Sequence, residues 1–80
     1  MKTKSRLKNL MPGDLFSFEK PTFSRGKDEI WLLCGLADRY VYGDNAFDVH
    51  PEYEEDKVFT VCDSEVIFVG RNAYGYSEQP

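Results

Sequence analysis

The chain has 80 residues, of which 41% are hydrophobic, 30% charged and 15% aromatic, and its net charge is −4. This length allows one hydrophobic core, so we expect a single domain over residues 1–80, and it excludes most enzyme folds with separate cofactor and substrate sites. The aromatic content excludes a disordered chain and favours β-structure.

The chain begins with a basic segment, residues 1–8, which carries a charge of +4 from three lysines and one arginine. The remaining residues therefore carry −8. No apolar stretch follows the basic start, as a signal peptide would require, and no apolar run reaches the ~20 residues of a membrane helix. We expect a cytoplasmic protein without membrane contact.

The first structural signal is Met11-Pro12-Gly13-Asp14, which predicts a type II turn. Proline sets φ at the second position of such a turn, and glycine supplies a positive φ at the third. Alternating apolar residues then predict a strand over 14–19, with Phe16 and Phe18 on one face. The polar excursion over residues 20–28, with proline and glycine, predicts a long loop.

The most apolar segment, residues 29–36, predicts a strand that is apolar on both faces. The period of two places Ile30, Leu32, Cys34 and Leu36 on one face and Trp31 and Leu33 on the other. One small core cannot cover both faces. Either the preceding loop folds over Trp31 and completes the core, or Trp31 and Leu33 belong to an interface.

The second half of the chain continues the β-pattern. A third strand is predicted over 39–42, is interrupted by a turn at 43–45 and resumes over 46–49, and a fourth and a fifth are predicted over 57–62 and 65–70. Asp63-Ser64 predicts a tight hairpin between the last two. The polar residues 71–80 predict a tail.

Negative charge is concentrated between residues 44 and 65, where eight acids and one base give −7. The densest part, Glu54-Glu55-Asp56, lies in a predicted loop that is either a solvated surface or a patch for a basic partner. The charge also fits a surface that mimics DNA. Because the acidic body repels a polyanion, we expect weak or no nucleic-acid binding at physiological salt. The alternative is a nucleic-acid-binding barrel that uses the basic N-terminus and stacks bases on aromatic residues such as Tyr40 and Tyr42.

Residues able to carry chemistry are few, namely Cys34, Cys62 and His50. Both cysteines lie in apolar runs, so we predict reduced thiols in the core, and we predict that His50 lies on the surface. One histidine and two distant cysteines do not complete a zinc site, and no glycine-rich phosphate loop is present. We predict no enzyme activity, no cofactor and no metal.

The layout of turns and strands resembles small SH3-like barrels, above all the short proteins of this kind encoded by bacteriophages. The resemblance rests on Gly13-Asp14 before the first strand, the long loop after it and a final Asp63-x-x-Val66 strand, and it covers residues 7–70. It implies an all-β fold: a five-stranded antiparallel barrel over residues 12–70, with the basic segment before it and the tail after it. Such barrels are mostly binding modules, so no catalytic residues are implied.

These observations predict a non-enzymatic protein-binding module, with the role of a phage accessory protein or a host-directed inhibitor in the host cytoplasm. Aromatic residues outside a core are typical of interface hot spots. We expect a homodimer or an obligate complex with a partner protein, since open strand edges and surplus apolar faces favour association. The predicted contact residues are Trp31, Leu33, Tyr40, Tyr42, Glu54, Glu55 and Asp56.

Overall fold

The structure, a computed structural model, describes residues 3–26 and 28–71. These residues form one six-stranded sheet with little helix. The strands are β1 (Thr3–Arg6), β2 (Leu15–Phe18), β3 (Trp31–Leu36), β4 (Ala46–Pro51), β5 (Phe59–Cys62) and β6 (Glu65–Gly70). A 3-10 turn (Leu7–Asn9) follows β1, and a one-turn helix, α1 (Arg39–Tyr42), lies between β3 and β4.

The strand order is β1-β6-β2-β3-β4-β5, and every neighbouring pair is antiparallel. β5 and β6 are consecutive in the chain but lie far apart in this order, and only Asp63 and Ser64 link them. Two linking residues span at most ~11 Å, whereas four strand spacings measure ~19 Å in a flat sheet. The sheet is therefore strongly curled. Among the described residues, β1 and β5 are its unpaired edges.

The core lies on the face of the sheet that the curl encloses. It consists of Leu7, Phe16, Phe18, Trp31, Leu33, Phe47, Val49 and Val66. Alternate residues of β2, β3 and β4 contribute to it, as the period of two along a strand requires. Burial of these large apolar side chains is the main contribution to stability.

Most of the local predictions are confirmed. The predicted strands over 14–19, 29–36, 46–49, 57–62 and 65–70 correspond to β2, β3, β4, β5 and β6, with ends that differ by at most two residues. The type II turn is also present, because the Asp14 N–H donates to the Met11 carbonyl at 2.9 Å and Gly13 has φ 94°. The all-β antiparallel class is confirmed.

The strand predicted over 39–42 is wrong, because these residues form α1. The Asp38 carboxylate accepts a hydrogen bond from the Tyr40 N–H at 2.9 Å, and the Gly43 N–H donates to the Arg39 carbonyl at 2.9 Å. These contacts at the two ends hold one helical turn together, although tyrosine and valine favour strands. Local capping has overridden β-propensity here.

The hairpin predicted at Asp63-Ser64 is also wrong, and the sheet has six strands rather than five. β6 is bordered by β1 on one side and β2 on the other, so neither of its edges is open to β5. The sixth strand comes from the N-terminal segment, which was predicted to precede the barrel rather than to belong to it. The Asp63 carboxylate instead accepts from Arg6 Nε and from the Lys8 N–H, both at 3.1 Å. The predicted tail lies outside the described residues, apart from Arg71.

Candidate protein-binding surface

Two of the predicted contact residues lie in the core. Trp31 and Leu33 are 1% and 2% exposed, so both are core residues rather than the exposed contact residues that were predicted, and Leu33 reaches the surface only in the lining of a groove. The loop alternative is the correct one, because the Phe23 ring lies 5.9 Å from the Trp31 ring and stacks on Phe59 at 4.4 Å. The turn formed by residues 22–25, called the Phe23 turn below, therefore covers Trp31.

Ion pairs hold the Phe23 turn in place. Arg25 donates from Nη2 to the Glu29 carboxylate at 3.3 Å and to the Glu54 carboxylate, and its guanidinium carbon lies 6.0 Å from the Trp31 ring centre. Lys57 Nζ contacts the other oxygen of Glu54 at 2.8 Å. The hydrogen bond from Lys57, together with Arg25, lowers the pKa of Glu54. Glu29, close in sequence, and Glu54, 29 residues away, thus hold the turn over the core through Arg25.

The acidic stretch does not form one uncompensated surface. Several of its carboxylates contact donors within the chain: Asp44 with Arg39, Asp48 with Thr60, Glu54 with Arg25 and Lys57, and Asp63 with Arg6. Of the predicted contact acids, Glu54 is half-buried in its ion pairs, whereas Glu55 and Asp56 are exposed. Glu54 therefore has a structural role, and only Glu55 and Asp56 remain available at the surface.

The basic N-terminal segment is likewise engaged within the chain. Lys4 Nζ lies 3.2 Å from the Glu19 carboxylate, and Arg6 Nε lies 3.1 Å from that of Asp63. The hydrogen bond to Glu19 raises the pKa of Lys4. Phosphate binding depends on lysines and arginines that are available on one face. Two of the three basic residues described in this segment are paired with acids.

Three exposed apolar side chains are clustered on α1. Tyr40, Val41 and Tyr42 are 95%, 67% and 56% exposed, and α1 buries none of its residues. Two of the predicted contact residues, Tyr40 and Tyr42, are thus at the surface, and α1 places Val41 beside them. Clustered exposed apolar side chains mark interaction sites more often than isolated ones do.

An apolar groove of about 400 Å³ lies next to α1, at one end of the core. Its apolar lining consists of Leu10, Pro12, Leu33, Leu36 and Phe47. Leu36 and Asp44 also line the smaller cavity that contains Arg39 and Gly43 at the ends of α1. The groove and α1 are therefore parts of one surface, called the apolar patch below: Leu10, Pro12, Leu36, Tyr40, Val41, Tyr42 and Phe47.

A β-bulge in β3 creates the wall of this groove. Leu33 pairs with Val49 and Leu36 with Phe47, so β3 has one more residue than β4 between these pairs. The extra residue brings Leu36 to the face of Leu33, whereas simple alternation predicts opposite faces. Gly35 has φ 152°, a conformation that side chains rarely adopt. Leu36 lies beyond the end of the core and is 71% exposed.

Two residues of opposite charge line the groove. They are Lys8 and Asp44. Asp44 also pairs with Arg39 at 3.2 Å, but both side chains are more than 70% exposed, so solvent screens this pair and it contributes little to stability. The surface thus combines an apolar floor and a protruding apolar turn with one cation and one anion in its lining.

Sequence reasoning missed several residues of the patch, among them Leu10, Leu36 and Val41. A usable signal was present at α1, where Asp38 precedes and Gly43 follows four residues without proline or glycine. This arrangement of an N-cap residue and a terminal glycine is typical of a short helix. The bulge has no comparable signal, since a lone glycine within a strand indicates only that some irregularity is present.

The predicted burial of the chemically reactive residues is wrong. Cys34 and Cys62 are exposed rather than buried, and His50 is only 4% exposed, with Nδ1 2.6 Å from the Pro51 carbonyl. Cys34 is the extra residue of the bulge, which removes it from the regular alternation. Partial desolvation, assisted by the Asp48 charge, raises the pKa of the Cys34 thiol. A higher pKa leaves less thiolate at neutral pH.

Within residues 3–26 and 28–71, no group of three or more cysteine, histidine or acidic side chains is arranged to hold a metal ion. No helix in the same part of the chain has the length and apolarity needed to cross a bilayer. Comparison of the chain with protein family models, with curated proteins and with solved structures finds no match in any of the three. Its function is therefore argued from the apolar patch.

Proposed function

We propose that this protein is a non-enzymatic protein-binding module that recognises its partner through the apolar patch. The observation that carries the proposal is the exposure of Tyr40, Val41 and Tyr42 on a helix that buries none of its residues. Each Å² of apolar surface left in water forgoes roughly 25 cal/mol of burial free energy. A protein partner that covers α1 recovers this free energy, and tyrosine is among the residues enriched at binding hot spots.

The rigidity of α1 supports the same conclusion. The Asp38 cap fixes its first turn, and Asp38 also accepts the N–H groups of Val41 and Tyr42 through its carbonyl oxygen at 3.1 and 2.9 Å. A backbone that is already held in its bound conformation loses less conformational entropy on binding. The groove beside α1 supplies a concave counterpart of a size that holds one or two side chains of a partner.

We further infer that the curled sheet is an SH3-like barrel to which the N-terminal segment adds a strand. The supporting features are the antiparallel order, the short link between β5 and β6 and the long excursion between β2 and β3. A role as a phage accessory protein or a host-directed inhibitor is part of this proposal. It rests on the resemblance in the sequence and on the small size of the module.

The test is affinity capture with the immobilised protein and with a Tyr40→Ser/Val41→Ser variant, from bacterial lysate to which a differently tagged copy of this chain has been added. Both substituted residues are exposed, so we expect the variant to keep the circular dichroism spectrum and thermal midpoint of the parent. We expect a protein that the parent captures, identified by mass spectrometry, to be lost with the variant.

The matched control is Tyr53→Ser, because Tyr53 is 80% exposed but does not line the groove. The control should capture the same protein as the parent. If the double variant and the control retain the same set of captured proteins, the apolar patch is not the recognition surface.

A further inference from the structure

The apolar patch contains a protrusion and a groove side by side. The protrusion is α1, with Tyr40 the most exposed at 95% and Val41 at 67%. The groove lies beside this protrusion, because Leu36 lines both the groove and the cavity next to α1. A surface that carries a convex element and a concave element next to each other fits a copy of itself when the two copies are related by a two-fold axis.

The two charges in the groove lining are also complementary to those of a second copy. Asp44 lies two residues after α1, so it accompanies α1 into any groove that α1 enters. Lys8 and Asp44 both line the groove, and Lys8 forms no ion pair among the described residues. In a two-fold arrangement each Asp44 meets Lys8 of the second copy, and each Lys8 meets Asp44 of the second copy.

The existing contact of Asp44 does not prevent this exchange. Its partner Arg39 is 3.2 Å away, and both side chains are more than 70% exposed. Exposed ion pairs of this kind stabilise a protein by ~0–1 kcal/mol, so the carboxylate can turn toward a second cation at little cost. Arg39 also remains close enough to keep one cation beside the carboxylate of Asp44.

We infer that the partner seated on the apolar patch is a second copy of this chain, with α1 of each protomer in the groove of the other and Lys8 paired with Asp44 across the two-fold axis. The inference rests on the proposed function, since it requires the patch to bind protein. A second copy is favoured as the partner because the protrusion, the groove and both charges are complementary within one surface.

The test is sedimentation equilibrium of the full chain and of two charge-reversed variants, Lys8→Glu and Asp44→Lys. Concentrations from about 10 μM to about 1 mM cover weak and moderate association. We expect the mass of the parent to rise from the 9.3 kDa of one chain toward twice that value. Each variant alone places like charges together twice in the dimer, so its self-association should weaken by about tenfold or more.

An equimolar mixture of the two variants is the decisive measurement. In the mixed dimer, Glu at position 8 of one chain meets Lys at position 44 of the other, and the unchanged Asp44 meets the unchanged Lys8. We expect the mixture to associate about as strongly as the parent. The inference is overturned if the mixture associates no better than the two variants measured separately.

Failure of the inference can be distinguished from failure of the proposed function. A parent that stays at 9.3 kDa over the whole range, while Tyr40→Ser/Val41→Ser loses a captured protein, overturns self-association and leaves protein binding by the patch intact. A parent that dimerises equally well with and without the Tyr40→Ser/Val41→Ser change overturns the inference in favour of another surface, such as the open edges of β1 and β5.

Discussion

The Phe23 turn and α1 are both short connections that carry aromatic residues, yet the first is packed on the core and the second is exposed to solvent. The Phe23 ring lies over Trp31 and stacks on Phe59, whereas Tyr40 of α1 is 95% exposed. Arg25 anchors the Phe23 turn to Glu29 and to Glu54, a residue 29 positions away. The described polar contacts of α1 all lie within residues 38–44.

This difference shows what separates a core aromatic residue from a surface one in a small aromatic-rich protein. Aromatic composition alone does not distinguish Trp31 from Tyr40. Contacts over long sequence distances do distinguish them, because they determine which aromatic group is folded onto the core and which is left exposed. The predictions below test that separation, beginning with the largest expected effect.

The first prediction compares Trp31 with Tyr40. Trp31→Ala removes a buried ring that contacts Phe18, Phe23 and Phe59, so it should lower the free energy of unfolding by about 3–5 kcal/mol. Tyr40→Ala should change it by less than about 0.5 kcal/mol, because the side chain is exposed. Urea denaturation followed by far-UV circular dichroism measures both. A similar loss of unfolding free energy in the two variants would show that Trp31 and Tyr40 do not differ in their contribution to the core.

The second prediction concerns the ring that covers Trp31. Phe23→Ala should lower the free energy of unfolding by about 1–2 kcal/mol, because it removes the stacked contact with Phe59 and the contact with Trp31. The exposure of Trp31 should rise, which shifts its fluorescence emission to longer wavelength. A variant with the emission of the parent would mean that other groups shield Trp31.

The third prediction concerns the cap of α1. Asp38→Ala removes the carboxylate that accepts the Tyr40 N–H, so it should destabilise α1 by about 1 kcal/mol. Because α1 is not part of the core, most of this effect should appear as weaker partner binding rather than as global unfolding. Asp38→Asn keeps a capping oxygen and serves as the control. Equal binding by all three proteins would show that the shape of α1 does not matter for recognition.

The fourth prediction concerns the backbone of the Phe23 turn. Phe23 and Ser24 have φ 56° and 64°, in the left-handed region that residues other than glycine seldom adopt. Ser24 is exposed, so Ser24→Gly relieves strain without removing a packed side chain. We expect the thermal midpoint to rise, by an amount that corresponds to about 0.5–1 kcal/mol. Ser24→Ala is the matched control and should not raise it, since alanine cannot adopt this φ without strain.

The fifth prediction is the smallest and concerns pH. The folded-state pKa of Glu54 is lowered by its hydrogen bond to Lys57 and by Arg25. Its contribution to stability is therefore complete above the ordinary value of 4.5 and is lost as the pH falls through the folded-state pKa. Thermal midpoints of the parent should decrease more steeply on acidification below about pH 4.5 than those of Glu54→Gln. Parallel curves for the two proteins would show that the Glu54 ion pairs do not stabilise the fold.

The sequence by itself determined the local elements of this protein. Alternation of apolar residues predicted β2, β3, β4, β5 and β6, and proline and glycine predicted the turn before β2. It also indicated that Tyr40 and Tyr42 are contact residues, and the structure leaves both of them exposed. The strand and turn predictions succeed because strand alternation and turn conformation depend on residues that are close in sequence.

Only the tertiary structure decided which elements pair and which aromatic residues are covered. The N-terminal segment pairs with β6 and excludes the predicted hairpin, and the bulge at Cys34 turns Leu36 toward the groove. Trp31 is buried because Phe23 and Arg25 of the preceding loop pack against its ring. Glu54, far away in the chain, holds Arg25 in this position. The physical reason is the same in each case: burial depends on contacts between residues far apart in sequence, and the periodicity of one segment contains no information about the segment that will cover it.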